Sequence, residues 1–218
     1  MTKNLDTEPL RPLRVEGGFL GAMRAALEGW WREIFILTGL NLLWTVAFFS
    51  IVMMPPATAA MFYTARRVLQ RDPFVGWGTF AQPIRRHWRA AWGWGLLFFL
   101  IAGVAGANLW LYRDALGTLW TLLRWLWATI LVVWLTLNLF FWPLWFAEAA
   151  EYRTVRTTFR NSVAFLSANP FAALFATIAI LLFATVSTLT GVLLGTLFMA
   201  WTALFATAIL AAYLPRET

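Results

Sequence analysis

The feature that most constrains this fold is a run of 44 residues, 171 to 214, that contains no charged side chain. As one helix the run would be about 66 Å long at roughly 1.5 Å per residue, about twice the thickness of a bilayer's hydrocarbon layer. A chain in lipid must satisfy its backbone hydrogen bonds internally, so the run must form two helical spans. The segment STLTG at 187 to 191 predicts the turn between them.

The composition supports lipid as the solvent of this chain. Apolar residues make up 61% and charged residues 12% of its 218 residues, whereas soluble domains carry about 25% charged residues. The 15 tryptophans are typical of side chains that settle at the headgroup level. The net charge of +7 comes from arginines between apolar runs, a pattern that indicates anionic lipid and membrane topology and argues against nucleic acid. Because there is no cysteine, disulfides and cysteine-based sites are excluded.

We therefore predict an all-α membrane protein, a six-helix transmembrane bundle with interfacial amphipathic helices. Residues 18–214 form one transmembrane domain between a disordered tail, 1–17, and a short C-terminal tail, 215–218. The apolar positions from Phe19 to Ile34 recur at helical spacing and predict an amphipathic helix in the interface. The second crossing is short or re-entrant, because its apolar run follows the helix-breaking Pro55 and Pro56 and soon reaches Arg66. The predicted spans are 34–54, 57–69, 92–111, 119–146, 171–188 and 192–213.

The distribution of basic residues favours six crossings. With six, one side of the membrane holds 15 basic residues and the other holds 2, whereas without the second crossing the same residues divide 7 against 10. Lysine and arginine are enriched in cytoplasmic loops. We therefore expect a multi-pass protein of the bacterial inner membrane with both termini in the cytoplasm.

The polar residues inside the spans offer few candidates for chemistry. Asn41 and Asn138 lie deepest; they either contact a substrate near the midplane or form hydrogen bonds between helices. Pro55 and Pro56 leave backbone carbonyls without helical partners, which marks either a binding site in a broken helix or a tight hairpin. No ionisable residue lies in the middle of a span, and this argues against an ion-coupled carrier.

The charged residues at the span ends allow two interpretations. A basic cluster could recognise a lipid headgroup or a partner, or it could anchor the chain at the interface; its members are Arg66, Arg67, Arg85, Arg86 and Arg89. Glu148 and Glu151 could perform acid–base chemistry, but Arg153 and Arg156 are close enough in sequence to form ion pairs with them. His87, the single histidine, has no ligand or triad partner nearby in sequence. We expect no enzyme activity, no metal and no cofactor.

Several short motifs resemble one known family. They are the Asn-Leu-Leu-Trp run at Asn41 to Trp44, the Pro-Ala-Thr-Ala-Ala turn at Pro56 to Ala60, and Tyr63 followed by Arg67. Together with NLFFWPLWF and RNSVAFLSANP later in the chain, they resemble the YesL-like family of small bacterial integral membrane proteins. The double proline departs from the more usual Gly-Pro of that family. The family has no established molecular function, but its members are often encoded beside carbohydrate ABC importers and polysaccharide-degrading enzymes, which implies an accessory part in sugar uptake.

Three functions follow as hypotheses. The first is a non-catalytic accessory protein that binds membrane lipids and a permease of an ABC importer, or a second copy of itself. The second is a carrier or channel for a neutral solute such as a sugar, with Asn41, Trp44, Tyr63 and Asn138 as candidate contacts. The third is a membrane enzyme that would use Glu148 and Glu151. A polar pocket reaching Asn41 or Asn138 favours transport, whereas a packed interior favours the accessory function.

Overall fold

The computed structural model describes residues 13–214, and every regular element in that range is helical, which confirms the all-α prediction there. Residues 1–12 and 215–218 of the predicted tails lie outside the described range. The helices are α1 (Gly18–Arg32), α2 (Ile34–Phe49), α3 (Met54–Leu69), α4 (Trp77–Arg86), α5 (Trp88–Leu111), α6 (Thr118–Ala147), α7 (Val155–Ala168), α8 (Pro170–Thr190) and α9 (Met199–Tyr213). A 3-10 turn (Ala150–Tyr152) follows α6, and a π-helical turn (Leu194–Phe198) precedes α9.

The long apolar helices indicate a membrane protein. Among residues 13–214, four helical segments are long and apolar enough to cross a membrane: α5, α6, α8 and the unit Leu194–Tyr213. The helices α1 and α2 qualify as a fifth span only as a pair, which is bent by 93°. The 16 residues of α2 extend about 24 Å, less than a hydrocarbon layer of about 30 Å. The predicted count of six crossings therefore stays a prediction.

The connection between α2 and α3 differs from the prediction. The sequence predicts that helix 34–54 ends at Pro55 and Pro56, but α2 already ends at Phe49, and both prolines lie in the first turn of α3. The first turn of a helix tolerates proline because its N–H groups have no intrahelical acceptor. The chain reverses instead at residues 50–53, where Ile51 adopts a positive φ of 57°. This short turn favours the hairpin interpretation of the two prolines.

Helix α3 occupies the centre of the bundle. It contacts α1, α2, α4, α5, α6 and α9, and nearly all of its residues from Pro55 to Val68 are buried. Close approach to α5 depends on Gly95, where a Cβ atom would lie 2.8 Å from Pro55 Cγ. Its 16 residues also extend about 24 Å, so other helices cover a segment that lipid alone could not accommodate well.

The uncharged C-terminal run divides where the sequence predicts the turn. Helix α8 ends at Thr190, and Gly191 adopts a φ of 63°, a left-handed conformation that glycine accommodates easily. The π-helical turn then leads directly into α9, whose residues from Met199 to Leu210 are largely buried. The most apolar part of the chain therefore supplies both a peripheral helix and a core helix.

The charged side chains gather at opposite ends of the bundle. Arg32 donates a hydrogen bond to the Val68 carbonyl oxygen, Tyr63 packs on Phe146, and Arg153 lies beside Glu148. These contacts bring the C-terminal ends of α1, α3 and α6 together, and we call this the basic end. At the far tip of the α5–α6 hairpin, Arg124 Nη1 donates to the Arg113 carbonyl oxygen over 3.0 Å.

Candidate functional site

Asn41 is fully buried, and its amide binds the backbone of the last helical unit. Its Nδ2 donates to the carbonyl oxygens of Leu194 (2.9 Å) and Gly195 (2.7 Å), while Ala200 N donates to its Oδ1 over 2.9 Å. Gly195 and Ala200 are five residues apart, the spacing of a π-helical hydrogen bond. The amide thus pairs backbone groups where the helix changes its winding. This arrangement supports the interhelical alternative for Asn41.

Asn138 forms a local contact. Its Nδ2 donates over 2.7 Å to the Trp134 carbonyl oxygen, one turn earlier in α6. No hydrogen bond within residues 13–214 joins it to Asn41, whose bonds go to residues around the start of α9. The nearby polar link between helices comes from two threonines, since Thr177 Oγ1 lies 3.0 Å from Thr136 Oγ1. The structure therefore does not bring the two candidate asparagines into one site.

Trp44 and the two prolines belong to the packed α2–α3 hairpin. Trp44 Nε1 donates over 3.0 Å to Thr58 Oγ1, which joins the two helices across the turn. The Trp44 ring also lies 5.3 Å from that of Phe48. Pro55 packs against Gly95 of α5. The indole N–H therefore has a partner inside the hairpin. Both prolines are buried in α3, which fits a structural role.

Tyr63 lies in an aromatic cluster at the basic end. Its ring meets Phe146 edge-on at 5.3 Å, and His87 meets the same phenylalanine at 5.4 Å. His87 also contacts Trp145 at 5.8 Å. The cluster joins α3 and the α4–α5 junction to the C-terminal end of α6. Aromatic rings arranged edge-to-face add stability beyond the area that they bury.

Glu148 is held by polar side chains of α7. Thr158 Oγ1 donates to its Oε2 over 3.3 Å, and Asn161 Nδ2 donates to its Oε1. Arg153 Nε donates instead to the Glu148 backbone oxygen, over 2.9 Å. Burial lowers the pKa of Arg153 and the nearby charge of Arg86 lowers it further, while Glu148 opposes both effects. Glu148 thus fixes α7 against the end of α6, and Glu151 is exposed.

The basic residues predicted to contact lipid or a partner separate into two groups. Arg66 and Arg67 are each only 6% exposed, so the prediction that they offer a contact surface does not fit their burial. Arg67 forms an ion pair with Asp72 in the turn after α3, a partner that no sequence motif indicates. Arg85, Arg86 and Arg89 are exposed at the α4–α5 junction, and their contact with lipid or a partner stays a prediction.

Sequence reasoning missed several residues. Thr158 and Asn161 lie three apart on α7, a spacing that places both on one helix face toward Glu148, and this signal was available. Arg14 and Arg71 line a groove beside α1, and no motif marks them. Within residues 13–214, no group of three or more His, Asp or Glu side chains is placed to hold a metal ion.

Comparison with known proteins gives one match. A family model described as "Protein of unknown function, DUF624" matches residues 37–109, about a third of the chain. The matched segment includes Asn41, Trp44, Pro55, Pro56 and Tyr63, but ends before Asn138, Glu148 and Arg153. No curated protein and no solved structure matches this chain. The chain is thus similar over this segment to a family of unknown function, and the finer resemblance to the YesL-like family stays a prediction.

Proposed function

We propose that this chain is a non-catalytic, multi-pass protein of the bacterial inner membrane that acts as an accessory component of an ABC-type carbohydrate importer. The accessory role is supported chiefly by the hydrogen bonds of the Asn41 side chain. Its donor and acceptor atoms are occupied by the backbone of residues 194 to 200. An amide committed in this way is unsuited to bind a passing solute. The identity of the partner, a carbohydrate importer, is proposed from the resemblance to the YesL-like family.

The surface of α5 supports binding to another membrane protein. Of the four long apolar helices among residues 13–214, α5 is covered least by the rest of its own chain. Leu100 and Trp110 are both 64% exposed. Helices in a membrane associate by packing and by hydrogen bonds, and lipid is the competing occupant of such a face. We propose that α5 contacts the permease subunit.

Photo-crosslinking tests this contact. The full chain, expressed in its native membrane, carries a photoreactive phenylalanine analogue at Leu100 of α5 or, as matched control, at Leu182 of α8, which is equally exposed at 64%. We expect a crosslink from position 100 to an importer permease and none from position 182. Crosslinks from both positions to lipid alone would contradict the proposal. Sugar uptake by proteoliposomes that contain only this chain would favour the carrier hypothesis instead.

We propose six crossings, with α2 and α3 as a short hairpin and both termini in the cytoplasm. The contacts at the basic end support this topology, because they bring arginines from α1, α3 and the α6–α7 connection together. Arg113 and Arg124 lie at the far tip of the α5–α6 hairpin. Such asymmetry is typical of cytoplasmic and external faces.

The absence of cysteine makes the topology directly testable with single-cysteine variants and a membrane-impermeant maleimide. We expect Glu16→Cys and Arg89→Cys to react only after the cytoplasmic face is exposed. Asp114→Cys, at the α5–α6 turn, should react in intact cells once the outer barrier is permeabilised. If Glu16→Cys and Arg89→Cys react from opposite faces, α3 does not cross and the six-span topology is wrong.

A further inference from the structure

Helix α1 has three distinct faces. Ala22, Ala26 and Gly29 are buried, and the helix contacts α9 and α3. A second face, at helical spacing, is apolar and exposed; it consists of Leu20, Met23, Leu27 and Trp31. The third face is charged and carries Arg24, Glu28 and Arg32. Since α1 lies at 93° to α2, it runs along the membrane surface if α2 runs across it.

The charged face of α1 borders an open groove of about 340 Å³. This volume is within the range of about 300–1,000 Å³ that is typical of small-molecule sites. The far side of the groove is formed by the C-terminal end of α3 and the residues before α1. Its charged lining consists of Arg14, Arg24, Arg32 and Arg71 together with Glu16 and Glu28. The groove therefore has an excess of positive charge.

The arginines of the groove differ in their protein partners. Arg24 pairs with Glu28 over 2.7 Å, and Arg32 donates to the Val68 carbonyl oxygen. The side chains of Arg14 and Arg71 form no hydrogen bond or ion pair with any residue in the range 13–214. The donors of both guanidinium groups are therefore open to an anion, which would compete with the carboxylate of Glu28 for the charge of Arg71, because, after the larger effect of Arg24, that charge helps to lower the pKa of Glu28. Arginine is well suited to phosphate because its planar donors can bind two oxygens at once.

The backbone of Arg71 is a second, independent observation. Its φ of 55° lies in the left-handed region. Arg71 N bonds to the Val68 carbonyl and Asp72 N to the Arg67 carbonyl, at 3.0 and 3.1 Å. This is the Schellman pattern that closes many helices, and its left-handed position is usually glycine. Arginine is strained in this conformation, so folding alone would favour glycine at position 71. A function of the Arg71 side chain in the groove would explain why arginine occupies this position.

We propose that this groove binds the phosphate of an anionic phospholipid, with Arg71 and Arg14 as its principal ligands. The exposed apolar face of α1 lies on the same helix and would lie against the acyl chains, which favours a lipid over a soluble phosphate. Arg24 and Arg32 add to the positive potential of the site. The site is separate from the exposed arginines of the α4–α5 junction, and it does not depend on the proposed importer partner.

The test measures lipid binding by the full-length protein purified in a neutral detergent. The probe is dioleoyl phosphatidylglycerol, titrated and counted by native mass spectrometry, with dioleoyl phosphatidylcholine as the zwitterionic comparison. We expect Arg71→Gly to weaken phosphatidylglycerol binding about fivefold, and Arg14→Gln/Arg71→Gly about 30-fold. The matched control is Arg160→Gln, which removes the same charge from an exposed position on α7 and should bind as the unaltered chain does.

Two further measurements separate this proposal from its alternatives. Thermal unfolding without added lipid should show Arg71→Gly to be at least as stable as the unaltered chain, because glycine adopts the left-handed conformation without strain. A loss of stability would mean that the Arg71 side chain supports the fold, and it would overturn the proposal. Competition by sn-glycerol 3-phosphate at the affinity of the intact lipid would identify a soluble anion as the ligand. Equal binding by the double variant and Arg160→Gln would also refute the site.

Discussion

Replacing Asn41 by leucine removes an amide that makes three hydrogen bonds to the backbone of the last helical unit, while it keeps the number of side-chain heavy atoms and the branching at Cγ. The bonds run to the carbonyl oxygens of Leu194 and Gly195 and from the N–H of Ala200. Asn41 is fully buried, so water cannot replace the lost partners. The variant leaves two carbonyls and one N–H to find partners inside the bundle.

The magnitude follows from the value of such bonds in a membrane. Hydrogen bonds between transmembrane helices contribute about 0.6 kcal/mol on average and about 1.7 kcal/mol at most. Three of them predict a loss of about 2 to 5 kcal/mol in the free energy of unfolding. The lower value applies if residues 194 to 198 relax from π-helical to α-helical winding and pair their own backbone groups.

Equilibrium unfolding in mixed micelles, followed by circular dichroism, measures this loss. The matched control is Asn138→Leu, because within residues 13–214 the Asn138 side chain bonds only to the Trp134 carbonyl oxygen of its own helix. This variant should lose no more than about 0.6 kcal/mol of unfolding free energy. Asn41→Leu should unfold at a clearly lower denaturant fraction than Asn138→Leu. Equal stability of the two variants would refute the structural role of Asn41 and reopen its assignment to a solute site.

Two further predictions concern the packing of α3. Gly95→Ala places a Cβ atom 2.8 Å from Pro55 Cγ and should destabilise the protein by about 1–3 kcal/mol. Gly93→Ala, whose Cβ atom would meet no atom of another part of the described chain within 4 Å, should be neutral or slightly stabilising in the same unfolding assay. Equal effects of the two variants would contradict the close α3–α5 approach. Asp72→Ala leaves the buried guanidinium of Arg67 without its ion-pair partner and should lower the free energy of unfolding by about 3–5 kcal/mol. The double variant Arg67→Met/Asp72→Ala should recover most of this loss. If it recovers none, the loss comes from the turn itself and the ion pair does not explain it.

Hydropathy predicts the long apolar helices α5, α6 and α8 and several of their ends. The uncharged run from 171 to 214 divides at Gly191, where the sequence places a turn. The sequence predicts the end of α2 wrongly, because a proline inside a helix usually breaks it. Pro55 and Pro56 instead fit the first turn of α3, where a helix needs no N–H donor. No feature of the sequence predicts the positive φ of Ile51.

The partners of the polar residues could not be predicted, because they depend on contacts between distant segments. The position of Asn41 inside an apolar run predicts its burial, but its acceptors lie more than 150 residues away in sequence. The π-helical turn that receives the amide has an ordinary apolar sequence. The sequence predicts a surface position for Arg67, because arginines near the end of an apolar run usually reach the interface. The ion pair with Asp72 depends on the helix-closing turn between them, which Arg71 forms in place of glycine.

The solvent of the chain explains why its buried polar groups are structural and why its candidate contacts lie at its surface. Lipid offers no hydrogen bonds, so backbone groups that lose their helical partners where the winding changes must find partners within the protein. Asn41 meets this need at residues 194 to 200, and the Trp44–Thr58 bond joins α2 to α3. A polar residue used in this way cannot also exchange partners with a solute without loosening the bundle. The groups left for recognition are the exposed apolar surface of α5 and the arginines outside the core, which suit a membrane protein partner and an anionic headgroup.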